Sequence, residues 1–190
     1  MNPRTEAAVY AGDAVIIERS RREPDSFAGI FDRYYPEIHA YAGRRLGPTL
    51  ADDVAAETFL IAFDKRRRFD LARDDARPWL YGIASNVIAR HRRAEIRQYR
   101  ALARTGADER AEDHADRVAR AVDAGARRPG LARALAELAG RDRDVLLLVA
   151  WAELTSEEAG QALGIPAGTA RSRLHRARKR IQAALGEETS

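Results

Sequence analysis

The chain has 190 residues, of which 45% are hydrophobic, and its 33 Lys and Arg against 29 Asp and Glu give a net charge of +4, as expected for a mildly basic globular protein. It contains no cysteine, which excludes disulfides and thiolate metal sites. It has neither an apolar run of the ~18 residues that span a membrane nor the apolar core of a signal peptide, so we expect a cytoplasmic protein without membrane insertion. The histidines are scattered without ligand spacing and no P-loop, HExxH or GxSxG motif occurs, so we expect no metal, no cofactor and no enzyme activity.

Helical periodicity is strong from Ser26 to about Gln98, after an N-terminal segment, residues 1–25, to which the sequence assigns no role. Aromatic and branched residues recur every three or four positions from Phe27 to Ile38, which predicts a first helix. The stretch "GRRLGPTLADD" breaks this pattern with glycine and proline. A second helix is predicted from about Leu50 to Arg67.

The second helix carries an acidic cluster in its first turns, made by Asp52, Asp53 and Glu57. Favourable charge near a helix N-terminus explains such a cluster. A docking surface for a basic partner helix is the alternative. The periodicity alone favours the first explanation.

A third helix is predicted to begin near Ala76, with Asp74 or Asp75 as its N-cap. Its apolar face comprises Trp79, Leu80, Ile83, Ala84, Val87 and Ile88. The opposite side carries Gly82, Ser85, Ala89, Arg92 and Arg93, flanked by Asn86 and Arg90. Small residues let a backbone approach, asparagine bonds to base edges and arginine neutralises phosphates. We therefore expect nucleic-acid contact here, although an exposed helix would explain the arginines equally well.

Residues 100–129 differ in character from both flanks, with alternating charges, no aromatic residue and few large apolar groups. Such a stretch cannot bury enough surface to order itself. It is predicted to be a flexible linker with partial helicity, and a solvated helix is the alternative. Apolar density returns after residue 130. The chain is thus predicted to be all-α, with two small helical domains, 26–99 and 130–186, on a tether.

The second domain ends in a pattern typical of a helix-turn-helix. Thr155 and Glu158 have the spacing of a capping box, which predicts a short helix that starts at about Ser156. Gly164 supplies a left-handed turn and Pro166 fixes the entry to a helix from near Ala167. A helical hairpin whose second member happens to be basic is the alternative.

The final helix has an apolar stripe and a basic face. The stripe comprises Ala170, Leu174, Ala177, Ile181 and Leu185. The opposite face carries Gly168, Arg171, Ser172, His175, Arg176 and Lys179. A solvated face would normally mix signs of charge, whereas residues 164–181 contain no acid. The pattern favours nucleic-acid binding.

Three blocks, in this order and spacing, resemble the extracytoplasmic-function sigma factors of the sigma-70 family. The blocks are "ADDVAAETFLIAF", "FDLARDDARPWLYGIASNVIARHRR" and "RDRDVLLLVAWAELTSEEAGQALGIPAGTARSRLHRARKRI". They look like the polymerase-docking helix, the promoter-melting segment and the promoter-reading domain of that family. The resemblance covers nearly everything except the N-terminal segment and the linker. It implies sigma region 2 over 26–99 and sigma region 4 over 130–186.

The resemblance implies a protein that binds bacterial core RNA polymerase, directs it to promoter DNA and has an anti-sigma factor as a further partner. Carried over by position, the polymerase contacts would be Asp53, Glu57 and Thr58. The minus-10 element would be met by Asn86, Arg90 and Arg93, and a flipped base would be held by a loop that includes Phe69, Arg73, Asp74 and Asp75. The minus-35 element would be read by Arg171, Ser172, His175 and Arg176.

Two departures from the family's pattern are expected to loosen the second domain. Ala170 stands where a branched apolar residue is usual, and Ala159 with Gly160 softens the first helix of the helix-turn-helix. Each should cost about 1 kcal/mol on propensity and packing grounds.

Two other functions remain open at this point. One is a stand-alone helix-turn-helix regulator that needs no polymerase. The other is a sigma-like decoy that binds an anti-sigma protein and no DNA, against which the basic face of the final helix argues. Transcription from a matched promoter, with core polymerase and with or without this protein, separates all three.

Overall fold

The computed structural model describes residues 12–108 and 129–187, and within them it contains nine helices and no strand. This confirms the predicted all-α fold. An N-terminal unit comprises α1 Asp13–Ser20, α2 Ala28–Leu46, α3 Pro48–Lys65, α4 Arg77–Arg90 and α5 Arg92–Asp108. A C-terminal unit comprises α6 over 129–137, α7 Gly140–Trp151, α8 Ser156–Ala162 and α9 Ala167–Glu187. Helix α5 runs into the predicted linker as far as Asp108, and residues 109–128 lie outside the described residues.

Helix α1, which belongs to the segment without an assigned role, is part of the N-terminal core. Ile16 and Ile17 are buried in the same apolar cluster as the first helices of the predicted domain. The carboxylate of Asp13, also buried, accepts hydrogen bonds from the Tyr34 hydroxyl at 2.5 Å and from the Ala76 amide at 2.8 Å. Helix α1 is therefore fixed to α2 and to the start of α4.

The turn between α2 and α3 follows the prediction. Gly47 has a φ of 87°, in the left-handed region that glycine tolerates, and Pro48 is the first residue of α3. Helix α3 ends at Lys65 and a 3-10 turn over Arg66–Arg68 follows.

The third predicted helix begins where expected, next to Ala76, but its cap and its C-terminal end differ from the prediction. Its N-cap is Ala76 and no side chain caps it, so the assignment of an aspartate cap was wrong. Asp75 lies one residue too early, and its carboxylate instead accepts from the Arg77 amide at 2.7 Å. The helix also stops at Arg90, where His91 leaves helical geometry, and α5 begins as a separate helix.

The helix-turn-helix is formed as predicted. The Thr155 hydroxyl accepts from the Glu158 amide at 3.2 Å, and the Glu158 carboxylate accepts from the Thr155 amide at 2.7 Å, which completes the capping box. Gly164 has a φ of 62°. The apolar stripe of α9 faces the core, since Ala170, Leu174 and Ala177 are buried and the last two members half-buried.

The expectation that small residues loosen this motif was wrong for Gly160. A Cβ there would stand 2.9 Å from the Ile165 carbonyl oxygen, and the Gly160 carbonyl accepts the Ile165 amide at 2.9 Å. The same Cβ would lie 3.5 Å from that of Ala170, which is completely buried. The two small residues therefore let the turn and α9 approach α8 closely.

Candidate nucleic-acid interface

The four residues predicted to read the minus-35 element lie together on the exposed side of α9. They are Arg171, Ser172, His175 and Arg176. The buried stripe on the opposite side fixes this orientation, because helix positions that alternate by three and four must face the core together. The structure thus presents a cationic helix face that a DNA groove could accommodate.

Arg176 is held by an acid that the sequence did not single out. Asp142, 7% exposed in the first turn of α7, accepts from Nη2 of Arg176 at 3.1 Å and from Nε at 3.4 Å. This contact occupies one edge of the guanidinium and orients the rest of it. The pairing could not be anticipated because 34 residues separate the two.

The residues predicted to contact the minus-10 element are exposed, and one of them is ion-paired. Asn86, Arg90 and Arg93 all face solvent. Arg90 forms an ion pair of 2.5 Å with Glu57 of α3, so it links the predicted DNA face to the predicted polymerase face.

Gly82, on the same side of α4, is buried under α8. A Cβ at this position would stand only 2.3 Å from the carbonyl oxygen of Ala162. Ser85 is also buried, with its hydroxyl beside Tyr41 of α2. Gly82 and Ser85, two of the small residues that predicted a close approach of nucleic acid, are therefore used for helix packing, whereas Ala89 is exposed.

The loop between α3 and α4 divides into a buried and an exposed part. Phe69 is buried against Trp79, with ring centroids 5.1 Å apart, so its ring is not offered to a flipped base. The predicted loop residues Arg73, Asp74 and Asp75 are exposed. Hydrogen bonds from the Ala72 amide and from Arg73 lower the pKa of the Asp70 carboxyl and stiffen this turn.

The predicted polymerase contacts are likewise divided. Asp53 is exposed and Glu57 half-buried, whereas Thr58 is completely buried and donates its hydroxyl to the Val54 carbonyl at 2.7 Å. Thr58 therefore supports α3 from inside and has no surface for a partner.

Two exposed apolar side chains, one on α2 and one on α3, could not be identified from the sequence. Leu60 is 62% exposed and Phe31 39% exposed, and the Phe31 ring packs on Tyr35 at 4.7 Å. Helical periodicity assigns Phe31 to the core, so only the three-dimensional arrangement shows it at the surface. It lies in the same region as the acidic residues of α3, since the Tyr35 hydroxyl donates to Asp52 at 3.3 Å.

Four charged residues form a buried cluster between the two units, here termed the interunit cluster: Arg45 of α2, Glu95 of α5, and Arg143 and Asp144 of α7. Arg45 donates from Nε to Glu95 and from Nη2 to Asp144, each at 2.6 Å. Arg143 donates to the other Glu95 oxygen at 3.3 Å. Its guanidinium also lies 5.7 Å from the ring of Tyr99, a phenol whose pKa is raised by burial.

No helix among the described residues is long and apolar enough to cross a membrane. Nor do 12–108 and 129–187 bring together three potential histidine or carboxylate metal ligands.

Comparison with known proteins gives matches in both units. The sigma-70 region 2 family matches residues 30–98, and the sigma-70 region 4 family matches residues 130–181. The chain is 38% identical over 135 residues to the ECF RNA polymerase sigma factor SigC of Mycobacterium tuberculosis, covering 70% of this chain and 69% of that protein. It is 31% identical over 170 residues to the ECF RNA polymerase sigma factor SigW of Bacillus subtilis, covering 86% and 90%.

A solved structure shares the fold. The sigma factor RpoE from Bartonella quintana, determined in complex with the anti-sigma factor NepR, superposes with a TM-score of 0.57 at 20% identity and covers 84% of this chain and 96% of that one. Two helical units with a helix-turn-helix in the second, matched in order by both regional families, are thus found together in one chain. The chain therefore belongs to the sigma-70 family, and within it to the extracytoplasmic-function sigma factors.

Proposed function

We propose that this sigma factor binds core RNA polymerase in the cytoplasm, without catalysis of its own, and directs it to promoters by contacting minus-10 and minus-35 DNA. The observation that carries the proposal is the exposed cationic face of α9, which stands on a capped and closely packed helix-turn-helix. Forked arginine contacts suit both phosphates and guanine edges.

We assign minus-35 reading to Arg171, Ser172, His175 and Arg176. In particular, Asp142 holds Arg176 along one edge of its guanidinium, which leaves Nη1 and the outer edge for guanine O6 and N7. Arg180 is exposed one turn further along α9. That position suits a phosphate contact, which adds affinity without sequence preference.

We assign minus-10 contact to Asn86, Arg90 and Arg93, with Arg73, Asp74 and Asp75 of the preceding loop. All six are exposed and lie on α4, α5 or the loop that enters α4. Phe69 serves this site indirectly, since its burial against Trp79 anchors the loop.

We assign polymerase docking to Asp53 and Glu57 together with the exposed apolar side chains Phe31 and Leu60. Charged residues around an exposed apolar patch are typical of a protein interface. An anti-sigma factor is proposed as a further partner because the structurally similar RpoE was solved with one.

The deciding experiment is transcription in vitro from fragmented genomic DNA with core polymerase, with and without this protein. Promoter-specific transcripts should require both components. Tight sequence-specific duplex binding by the protein alone, without any effect on polymerase, would instead establish the stand-alone regulator. Stable binding of an anti-sigma factor without DNA binding or transcription would establish the decoy.

A further inference from the structure

Helix α5 carries a row of arginines on its solvent-exposed side, here termed the arginine stripe. It comprises Arg93, Arg97, Arg100 and Arg104. Because these positions recur every three or four residues, their side chains lie on one side of the helix, and all of them are exposed. The only acid of α5 before Arg104 is Glu95, which is buried. The arginine stripe is therefore a cationic surface roughly 16 Å long.

The packing of α5 fixes which of its sides faces solvent. Glu95 and Tyr99, on the side opposite the arginine stripe, are buried, and Glu95 accepts from Arg45 at 2.6 Å. Gln98 lies beside the turn between α2 and α3, where a Cβ on Gly47 would stand 2.9 Å from its side-chain oxygen. These contacts hold α5 in one rotation about its axis, with the arginine stripe outward.

The charges of the arginine stripe are not neutralised within residues 12–108 and 129–187, where none of its side chains forms an ion pair. The arginines just before it differ in this respect or in position. Arg90 pairs with Glu57, and Arg92 lies against α7, where a Cβ on Gly140 would stand 2.6 Å from its guanidinium carbon. Like charges three or four residues apart destabilise a helix. An anionic partner would remove this repulsion.

Duplex DNA suits the arginine stripe better than a membrane surface does. The stripe begins within the surface assigned to minus-10 DNA, since Arg93 belongs to both. From there the chain continues towards the unit that is assigned to the minus-35 element, and spacer duplex joins the two promoter elements in the same order. A helix that lies on a membrane needs a free apolar side, whereas Tyr99, on the apolar side of α5, is buried.

We propose that Arg97, Arg100 and Arg104 bind backbone phosphates of the spacer duplex directly upstream of the minus-10 element. This inference deepens the proposed function and rests on it. Arg100 and Arg104 lie beyond residue 98, where the region 2 match ends, and before residue 130, where the region 4 match begins. Arginine contacts to phosphates release counterions and do not depend on base sequence. The three arginines would therefore add affinity without changing which promoters are chosen.

Two double variants with the same change of charge test the proposal. Arg97→Ala with Arg100→Ala removes the centre of the arginine stripe. Arg19→Ala with Arg22→Ala is the matched control, because both positions are exposed and no DNA contact is assigned to them. Arg97→Lys with Arg100→Lys is a third variant that keeps the charge. Circular dichroism verifies that each full-length variant is folded, and a pull-down verifies that it captures core polymerase as the wild type does.

The measurement is the affinity of each variant, assembled with core polymerase, for a promoter recovered in the transcription experiment, at several salt concentrations. The alanine variant of the arginine stripe should bind about tenfold or more weakly at about 0.1 M salt, and its slope of log affinity against log salt should fall by about two units. The control and the lysine variant should stay close to the wild type. Neutral methylphosphonates in the spacer next to the minus-10 element should weaken the wild type and have little further effect on the alanine variant.

Four results would overturn the proposal. An unchanged salt slope would show that these arginines contact no phosphate. An equal loss in the control would show that only the net charge matters. Losses that add up for the methylphosphonates and the alanine variant would place the contacted phosphates elsewhere. Reduced capture of core polymerase by that variant would assign the arginine stripe to the polymerase. Failure of the proposed function would appear separately, as the absence of promoter-directed transcripts with core polymerase.

Discussion

Replacing Asp13 with alanine should destabilise the protein by about 3–5 kcal/mol, because its carboxylate is buried and satisfies several donors at once. The side chain accepts from the Tyr34 hydroxyl at 2.5 Å and from the Ala76 amide at 2.8 Å, and it pairs with Arg33. The guanidinium of Arg33 is 29% exposed and can be hydrated after the change. The hydroxyl and the amide cannot, and each buried donor left without an acceptor costs about 1–3 kcal/mol.

The assay is urea unfolding followed by circular dichroism, comparing midpoints and slopes for the full-length chain. Asp25→Ala is the control, because Asp25 is an exposed aspartate of the same N-terminal segment, and its change should stay within about 0.5 kcal/mol. In a double-mutant cycle with Tyr34→Phe, the two losses should overlap by about 1 kcal/mol or more, since both remove the same hydrogen bond.

A second observable comes from the Tyr34 phenol, whose pKa is raised by burial and then by the hydrogen bond to Asp13. Asp13→Ala should bring its alkaline titration closer to that of ordinary tyrosine. A loss below about 1 kcal/mol, or strictly additive losses in the cycle, would refute the argument that α1 is fixed through this carboxylate.

Three further predictions concern the C-terminal helix, the apolar patch and the capping box. Arg176→Ala should lose about 1–3 kcal/mol of discrimination between bases at one minus-35 position, measured as affinity for a panel of duplex variants. Arg180→Ala should weaken binding to all duplexes alike and lower the slope of log affinity against log salt by about one unit. If Arg176→Ala also weakens every duplex alike, both arginines contact phosphates. Leu60→Ser should reduce the amount of core polymerase that the protein captures in a pull-down, whereas Val15→Ser, at a separate exposed apolar site on α1, should not. Capture of equal amounts by the two variants would show that Leu60 does not contribute to polymerase binding. Hydrogen bonds from the Thr155 amide and hydroxyl lower the pKa of Glu158, so Glu158→Gln should destabilise the protein by about 0.5–2 kcal/mol at neutral pH. This loss of stability should disappear as the pH falls below the ordinary glutamate pKa of 4.5 and through the lowered pKa of the folded state. A loss that does not depend on pH would contradict a cap that needs the charged carboxylate.

The helix-turn-helix could be predicted closely because its signals are local. The capping box spans Thr155 to Glu158, and a left-handed glycine follows a few residues later. Each signal works through backbone groups within one turn of itself, so no knowledge of the rest of the chain is needed. The same dependence on local position explains why the predicted aspartate cap of α4 was wrong. Asp75 lies one residue before the N-cap, so its carboxylate accepts from the Arg77 amide and does not cap the helix.

The interunit cluster could not be predicted because its partners are distant in sequence. Arg45 lies 50 residues from Glu95 and 99 from Asp144. Read singly, each is a charged residue in a helix, and charged residues are expected at the surface. Asp13 was missed for the same reason, since its partners Tyr34 and Ala76 lie on two later helices.

Gly82 shows why one sequence pattern can predict two different uses of a helix face. A helix position without a side chain admits a nucleic-acid backbone or another helix, and the sequence pattern is the same for both. In the structure the space beside the Gly82 Cα is filled by the Ala162 carbonyl, while Asn86, one turn away, is exposed. No helix among the described residues covers the cationic face of α9, since Arg171, Ser172, His175 and Arg176 are all exposed. Among the described residues, therefore, the basic face of α9 is exposed along its length, whereas α4 is covered by α8 at Gly82 and exposed at Asn86.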